Sequence, residues 1–202
     1  MTPAQLSRQL REDRSPHMRR RRWMVGLSLV GVTMGQIVAA FQTGLIKRLP
    51  DPPIGPFDSE RVDASDYAYS RGQTPDALFM IITYGVTAAL AGAGGRDRAQ
   101  THPALPLALT AKAAFDAATC VRLGVEEWRE NKALCAYCQL ATAASFATLA
   151  LSMWEARDAA RVLERRAPKA GRRVARTADR ALSRLPGRKG GRSLEDLARR
   201  AY

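Results

Sequence analysis

Histidine is almost missing from this chain, and cysteine is scarce: His17 and His102 are the only histidines, and Cys120, Cys135 and Cys138 the only cysteines. That scarcity makes a four-ligand zinc site hard to assemble, because there is no second CxxC and neither histidine is near the first. Gln139, where a histidine would follow the second cysteine, argues against c-type haem attachment. Three cysteines also do not make a secreted disulfide scaffold. Aromatics make up 6% of the residues, and none is interleaved with the basic tails as a base-stacking surface would need, so no nucleic-acid partner is expected.

Charge is missing too, but only from the middle. The formal net charge of +13 lies mostly before residue 23 and after residue 154. Basic tails flanking uncharged runs read as cytoplasmic flanks beside anionic lipid. The segment LCAYCQLATAASFATLALSMW, residues 134–154, carries no charge over about 21 residues, enough at about 1.5 Å per residue to cross a hydrocarbon core of about 30 Å.

Three further spans are expected. Arg19–Arg22 and Trp23 introduce an uncharged run over residues 23–46. Val38-Ala39-Ala40 resembles a signal-peptide cleavage site, but the run is longer than a usual signal core and more spans follow, so it reads as a retained helix. Residues 76–95 and 103–125 complete the set, the latter carrying Lys112 and Asp116 four apart on one helical face, able to neutralise each other. The fold class is therefore an all-α membrane protein: a basic segment 1–22, a four-helix transmembrane bundle 23–155, and a basic tail 156–202 broken at Pro168, Pro186 and Gly190-Gly191. Both termini fall in the cytoplasm, in a membrane such as the bacterial inner membrane. Residues 47–75, rich in turn formers and slightly acidic, form an outer loop in which DASDYAYS holds a short helix with Asp63 or Ser65 near its cap. Residues 126–132 form a second outer loop.

Cys135 and Cys138 open the last span. A CxxC on the first turn of a helix puts two thiols about one turn apart, near the unpaired N–H groups and positive dipole end that favour a thiolate. The pair reads as a redox-active dithiol at a membrane surface, with Cys135 nearer water and expected to react first. The alternative is two small residues that merely pack. Cys120, deeper in the third span, reads as packing.

The CAYC motif, the four spans and the loop run VDASDYAYSRGQTPD together resemble the vitamin K epoxide reductase family, membrane thiol oxidoreductases built as a four-helix bundle around a quinone; the likeness covers roughly residues 20–155. The resemblance implies that Cys138 faces a quinone (ubiquinone or menaquinone) and Cys135 exchanges with the loop or a periplasmic thioredoxin-like thiol donor. It further implies that Ser65 matches the family's loop serine, that Asp76 falls where an asparagine usually contacts the quinone, that Tyr84 matches an aromatic of the second span, and that Thr142 stands where a quinone-contacting tyrosine is common. The chain departs from the family in having no loop cysteines: Ser59 stands at one position, and the region of Asp51 holds the place of the other. Two functions follow as expectations. One is a membrane oxidoreductase that couples dithiol oxidation to quinone reduction and supports disulfide formation outside. The other is a non-catalytic bundle of the same fold that binds lipid or a partner through its basic tail.

Overall fold

The computed structural model describes residues 2–183, and side-chain surroundings for residues 2–166. The described residues form eight helices: α1 (Pro3–Glu12), α2 (Pro16–Gln42), α3 (Ser59–Asp63), α4 (Asp66–Tyr69), α5 (Asp76–Gly92), α6 (Arg98–Thr101), α7 (Ala104–Asn131) and α8 (Ala136–Ser183). Among them there is no strand, only an isolated parallel bridge between Phe57 and Leu134. Helices α2, α7 and the Ala136–Arg166 part of α8 are long and apolar enough to cross a membrane. The expected second span is a shorter apolar helix of 17 residues, α5. Its rise is about 25 Å, less than a hydrocarbon core. It stops at Gly92 because Ala93 turns extended and Gly94 takes a left-handed φ of 79°.

The helices extend beyond the uncharged runs for local reasons. Helix α2 starts at Pro16 rather than at residue 23, since Ser15 accepts from Met18 N–H at 3.4 Å as N-cap and proline suits the first helical position. Helix α7 runs through the expected loop 126–132 as far as Asn131 and ends where Lys132 adopts φ 51°. Helix α8 continues through Pro168, where a break was expected; losing one ladder N–H does not end it. The breaks expected at Pro186 and Gly190-Gly191 lie outside the described residues.

Helix α2 packs along α5 and α8, and α7 packs along α8. Gly31 and Gly35, four apart on α2, make the α2–α5 approach possible: a Cβ on Gly31 would lie 2.4 Å from the Tyr84 ring, and one on Gly35 would lie 3.0 Å from Ile81. Between α5 and α7 the expected ion pair forms. Lys112 Nζ is 2.6 Å from Asp116 Oδ2 and donates to Thr87 Oγ1 at 2.8 Å.

At the end of the bundle near the α2 N-terminus, two arginines of the basic clusters turn inward. Arg21, 2% exposed, donates to the carbonyls of Ala91, Gly92, Ala93, Gly94 and Gly95. Arg98, with no exposed surface, donates to Leu90, Ala91 and Ala93 carbonyls and meets Glu155 bidentately at 2.7 Å through both bonds. The final carbonyls of a helix have no internal partner. Here the two guanidinium forks supply the donors for α5, so these residues are structural caps rather than surface charge.

Candidate functional site

The opposite end holds the two thiols, and the chain before α8 is pinned there. Asp58 N–H donates to Leu134 O at 3.1 Å and Leu134 N–H to Pro56 O at 2.9 Å, which straps the loop to the segment entering α8. Tyr137 OH reaches Pro50 O at 2.7 Å. Ser59, fully buried, donates its hydroxyl to Asp51 Oδ1 at 2.5 Å and its N–H to Asp51 Oδ2 at 2.6 Å. Ser59 and Asp51 are thus side by side, joined by hydrogen bonds.

Cys135 is the N-cap of α8: its carbonyl accepts from Gln139 N–H at 3.0 Å. The first-turn N–H groups then need acceptors. Ser59 Oγ takes Ala136 N–H at 2.9 Å, and Cys135 Sγ takes Cys138 N–H at 3.2 Å, the place a serine or aspartate oxygen usually fills. Cys135's own N–H donates to the Glu127 carboxylate. All three cysteines are free thiols.

Burial removes the exposure expected for Cys135. Cys135 has no exposed surface, sealed under the loop with Leu49, Val62 and Ala133, whereas Cys138 is only partly buried. Cys135 is therefore not the thiol open to water. Cys138 packs against the same apolar cluster, to which α2 and α5 contribute Val38, Ala39 and Ala77, with Phe41 and Ile81 also packed against it.

A carboxyl group that was expected only as a helix cap completes the site. Asp63, the last residue of α3, is 2% exposed, and one of its carboxyl oxygens lies within 4.8 Å of both Sγ atoms, which are themselves within that distance of each other. Its Oδ2 has no hydrogen-bond partner. Burial pushes this carboxyl up to about 7; the Cys135 thiol beside it acts in the opposite sense, and the Asp76 and Asp51 carboxylates add to the rise. Glu127, 4% exposed, stands on the other side of Cys135. Three donors fall short of the four of a closed structural zinc site, and neither histidine is among them. The sequence reading placed Asp63 at a helix cap and Glu127 in an outer loop; the signal available was their place beside apolar Val62 and on one helical face with Leu123.

The remaining expected residues scatter around this centre. Asp76 accepts from Gln42 Nε2 at 2.8 Å and lies 3.7 Å from Arg71, at the start of α5 next to Ala77 of the apolar cluster. Ser65 precedes α4 as its N-cap residue, but its hydroxyl donates back to Val62 O at 2.6 Å. Thr142 Oγ1 donates to the Cys138 carbonyl at 2.8 Å. Tyr84 is 5% exposed and already committed: its hydroxyl donates to Ala141 O at 2.5 Å and is 2.7 Å from Ser145 Oγ, which also meets Cys120 Sγ at 3.8 Å. Tyr84 and Cys120 are joined through Ser145 in the middle of the bundle, away from the dithiol.

Three helices long and apolar enough to cross a membrane, one of them opening on two free cysteines, fit an integral membrane protein. Residues 22–153 match the model of the Vitamin K epoxide reductase family, and the chain belongs to that family of membrane thiol–quinone oxidoreductases. No curated protein and no solved structure matches it.

Proposed function

We propose that this protein is a membrane oxidoreductase in which Cys135 and Cys138 are oxidised to a disulfide while a quinone, ubiquinone or menaquinone, is reduced. The observation that carries this reading is the closeness of the two free thiols at the start of α8, with Cys138 packed against an apolar cluster. A quinone ring is flat and apolar with two carbonyls, so an apolar slot with a few polar groups at its rim suits it. Val38, Phe41, Ala77 and Ile81 supply the slot, and Gln42 with Asp76 supplies polar groups at the adjoining end of α2 and α5. Tyr84 does not contribute in this arrangement, because its hydroxyl is taken. Thr142 and Ser65 act by holding the backbone around Cys138 and Val62. The quinone supplies two-electron acceptance; the chain's own residues hold the two sulfurs together, exclude water from Cys135 and offer carboxyl groups for its proton.

In this reading α2, α5, α7 and α8 are four spans, the short α5 included, with residues 1–22 and 156–202 as basic cytoplasmic flanks against anionic lipid. The thiol end faces an oxidising compartment, where a thioredoxin-like thiol donor meets Cys135 directly because the loop has no cysteines. Cys135 lies beneath the Phe57–Leu134 bridge, so that meeting requires residues 49–58 to lift. The non-catalytic alternative leaves the buried carboxyls beside the dithiol without a purpose.

Sidedness is tested in a cysteine-free background by single cysteines at Ile54, which is 67% exposed in the loop, and at exposed Arg8. An impermeant maleimide on intact cells should label position 54 and spare position 8. The reverse labelling would put the dithiol in the reducing compartment. The function itself is tested by reconstituting purified protein with a soluble quinone and a small dithiol reductant: quinol should form with the wild type and not with the Cys135→Ala, Cys138→Ala double variant.

A further inference from the structure

We infer that Asp63 is the proton acceptor for the Cys135 thiol when the dithiol is oxidised. The inference rests on the oxidoreductase reading of the same pair. The sulfur to be oxidised is buried, and a buried thiol cannot hand its proton to water. A base must therefore be within its own pocket. Asp63 meets that need by position: a carboxyl oxygen lies within 4.8 Å of both sulfurs, the group is sealed from solvent, and Oδ2 is unpartnered. Glu127 is less suited, since its carboxylate is engaged by Cys135 N–H. The unpartnered oxygen is also costly to bury without a role.

The step balances. The Cys135 S–H bond breaks and its proton passes to the Asp63 carboxylate. The Cys135 sulfur then forms the S–S bond with Cys138, whose proton also leaves. Two electrons and two protons depart in all, and both reach the quinone as it becomes quinol; Asp63 passes its proton on and is again a carboxylate. With a diazene oxidant such as diamide, the same two electrons and two protons convert its N=N bond to a hydrazine.

The charged and titratable groups facing Asp63 come from every side: Asp51 from the loop, Tyr69 from α4, Asp76 from α5, Glu127 from α7, and both thiols at the start of α8. The Arg71 guanidinium, 3.7 Å from Asp76, is held by that residue and by Glu126. The surroundings are thus anionic, which keeps the carboxyl near the middle of its titration at neutral pH, with burial the larger cause. Below pH of about 7 Asp63 holds a proton and cannot accept another, so oxidation should accelerate as pH rises through that value.

The test is the rate of disulfide formation in purified, fully reduced protein, followed by thiol alkylation across pH, with a soluble quinone in one series and diamide in the other. Wild type should show an inflection near pH 7 in both. Asp63→Asn, nearly the same shape, should lose it and slow oxidation at neutral pH by about 100-fold, recovering at alkaline pH where the thiolate forms unaided. Asp63→Glu should restore part of the rate and an inflection. A wild type without the inflection, or an Asn variant that keeps rate and profile, would overturn the assignment. The diamide series separates the two claims: if wild type reacts with diamide and not with quinone, the oxidoreductase reading fails while the role of Asp63 is still decided by its pH profile.

Discussion

Cys138→Ala and Cys135→Ala should each reduce dithiol-driven quinol formation to background, yet leave different species behind. Neither single thiol can form the intramolecular disulfide, so both variants lose the two-electron step entirely. The difference lies in what each remaining sulfur can touch. In Cys138→Ala, Cys135 stays beneath the loop beside Asp63 and Glu127, and once the loop lifts it can form a mixed disulfide only by exchange with the disulfide form of its thioredoxin-like partner, whose second sulfur leaves as a thiol. A reducible band of higher mass on a gel reads that adduct. In Cys135→Ala, Cys138 borders the apolar cluster of α2 and α5 and has no partner thiol. Its sulfur also loses the contact in which Cys135 Sγ caps Cys138 N–H. This variant should accumulate no donor adduct, and a lipophilic maleimide should modify it faster than an impermeant one. An adduct on Cys138 rather than Cys135 would exchange the roles of the two thiols.

The second large effect is on stability and lies at the other end of the molecule. Arg98 is without exposed surface, joined to Glu155 through two bonds of 2.7 Å, and it also serves three α5 carbonyls. Arg98→Ala leaves Glu155 as a buried carboxylate without its partner and the Leu90 carbonyl without this donor, while Ala91 and Ala93 keep their bonds to Arg21. Removing one member of a buried pair costs about 3–5 kcal/mol. Thermal unfolding in detergent should fall accordingly, with the quinol-forming activity of the surviving folded fraction unchanged because the dithiol is at the far end. Arg98→Met combined with Glu155→Leu should be milder, since no charge is left unpaired, although the Leu90 carbonyl still lacks this donor. Equal loss in the single and double variants would mean that the carbonyl bonds, and not the ion pair, hold this end together.

Much of this arrangement could be read from residues alone, and the reasons are physical. A CxxC ahead of an uncharged run is visible because helix starts are marked by local spacing, and Lys112 with Asp116 by the four-residue repeat of a helix face. The family likeness is carried by the same residues, and the family match covers 22–153. What could not be read depends on tertiary contacts. Arg21 and Arg98 belong to basic clusters that look like solvated flanks, and only the approach of α5's end turns them inward. Asp63 sits in a loop with several other acids, and nothing in its neighbours distinguishes it until α3 folds against the start of α8. Tyr84 looked free to meet a ligand because its own sequence gives no hint of Ser145, 61 residues away, which takes its hydroxyl. The depth of Cys135 was hidden for the same reason: helix position says it is near the end of a span, while packing with Leu49, Val62 and Ala133 buries it.

The most direct measurement is a single turnover. Reduced protein, freed of reductant and mixed with excess soluble quinone without oxygen, should yield one quinol per chain, and peptide mass analysis should show one disulfide joining Cys135 to Cys138 with Cys120 still a thiol. Quinol without that disulfide, or a pair that stays reduced while quinone is present, would contradict the account.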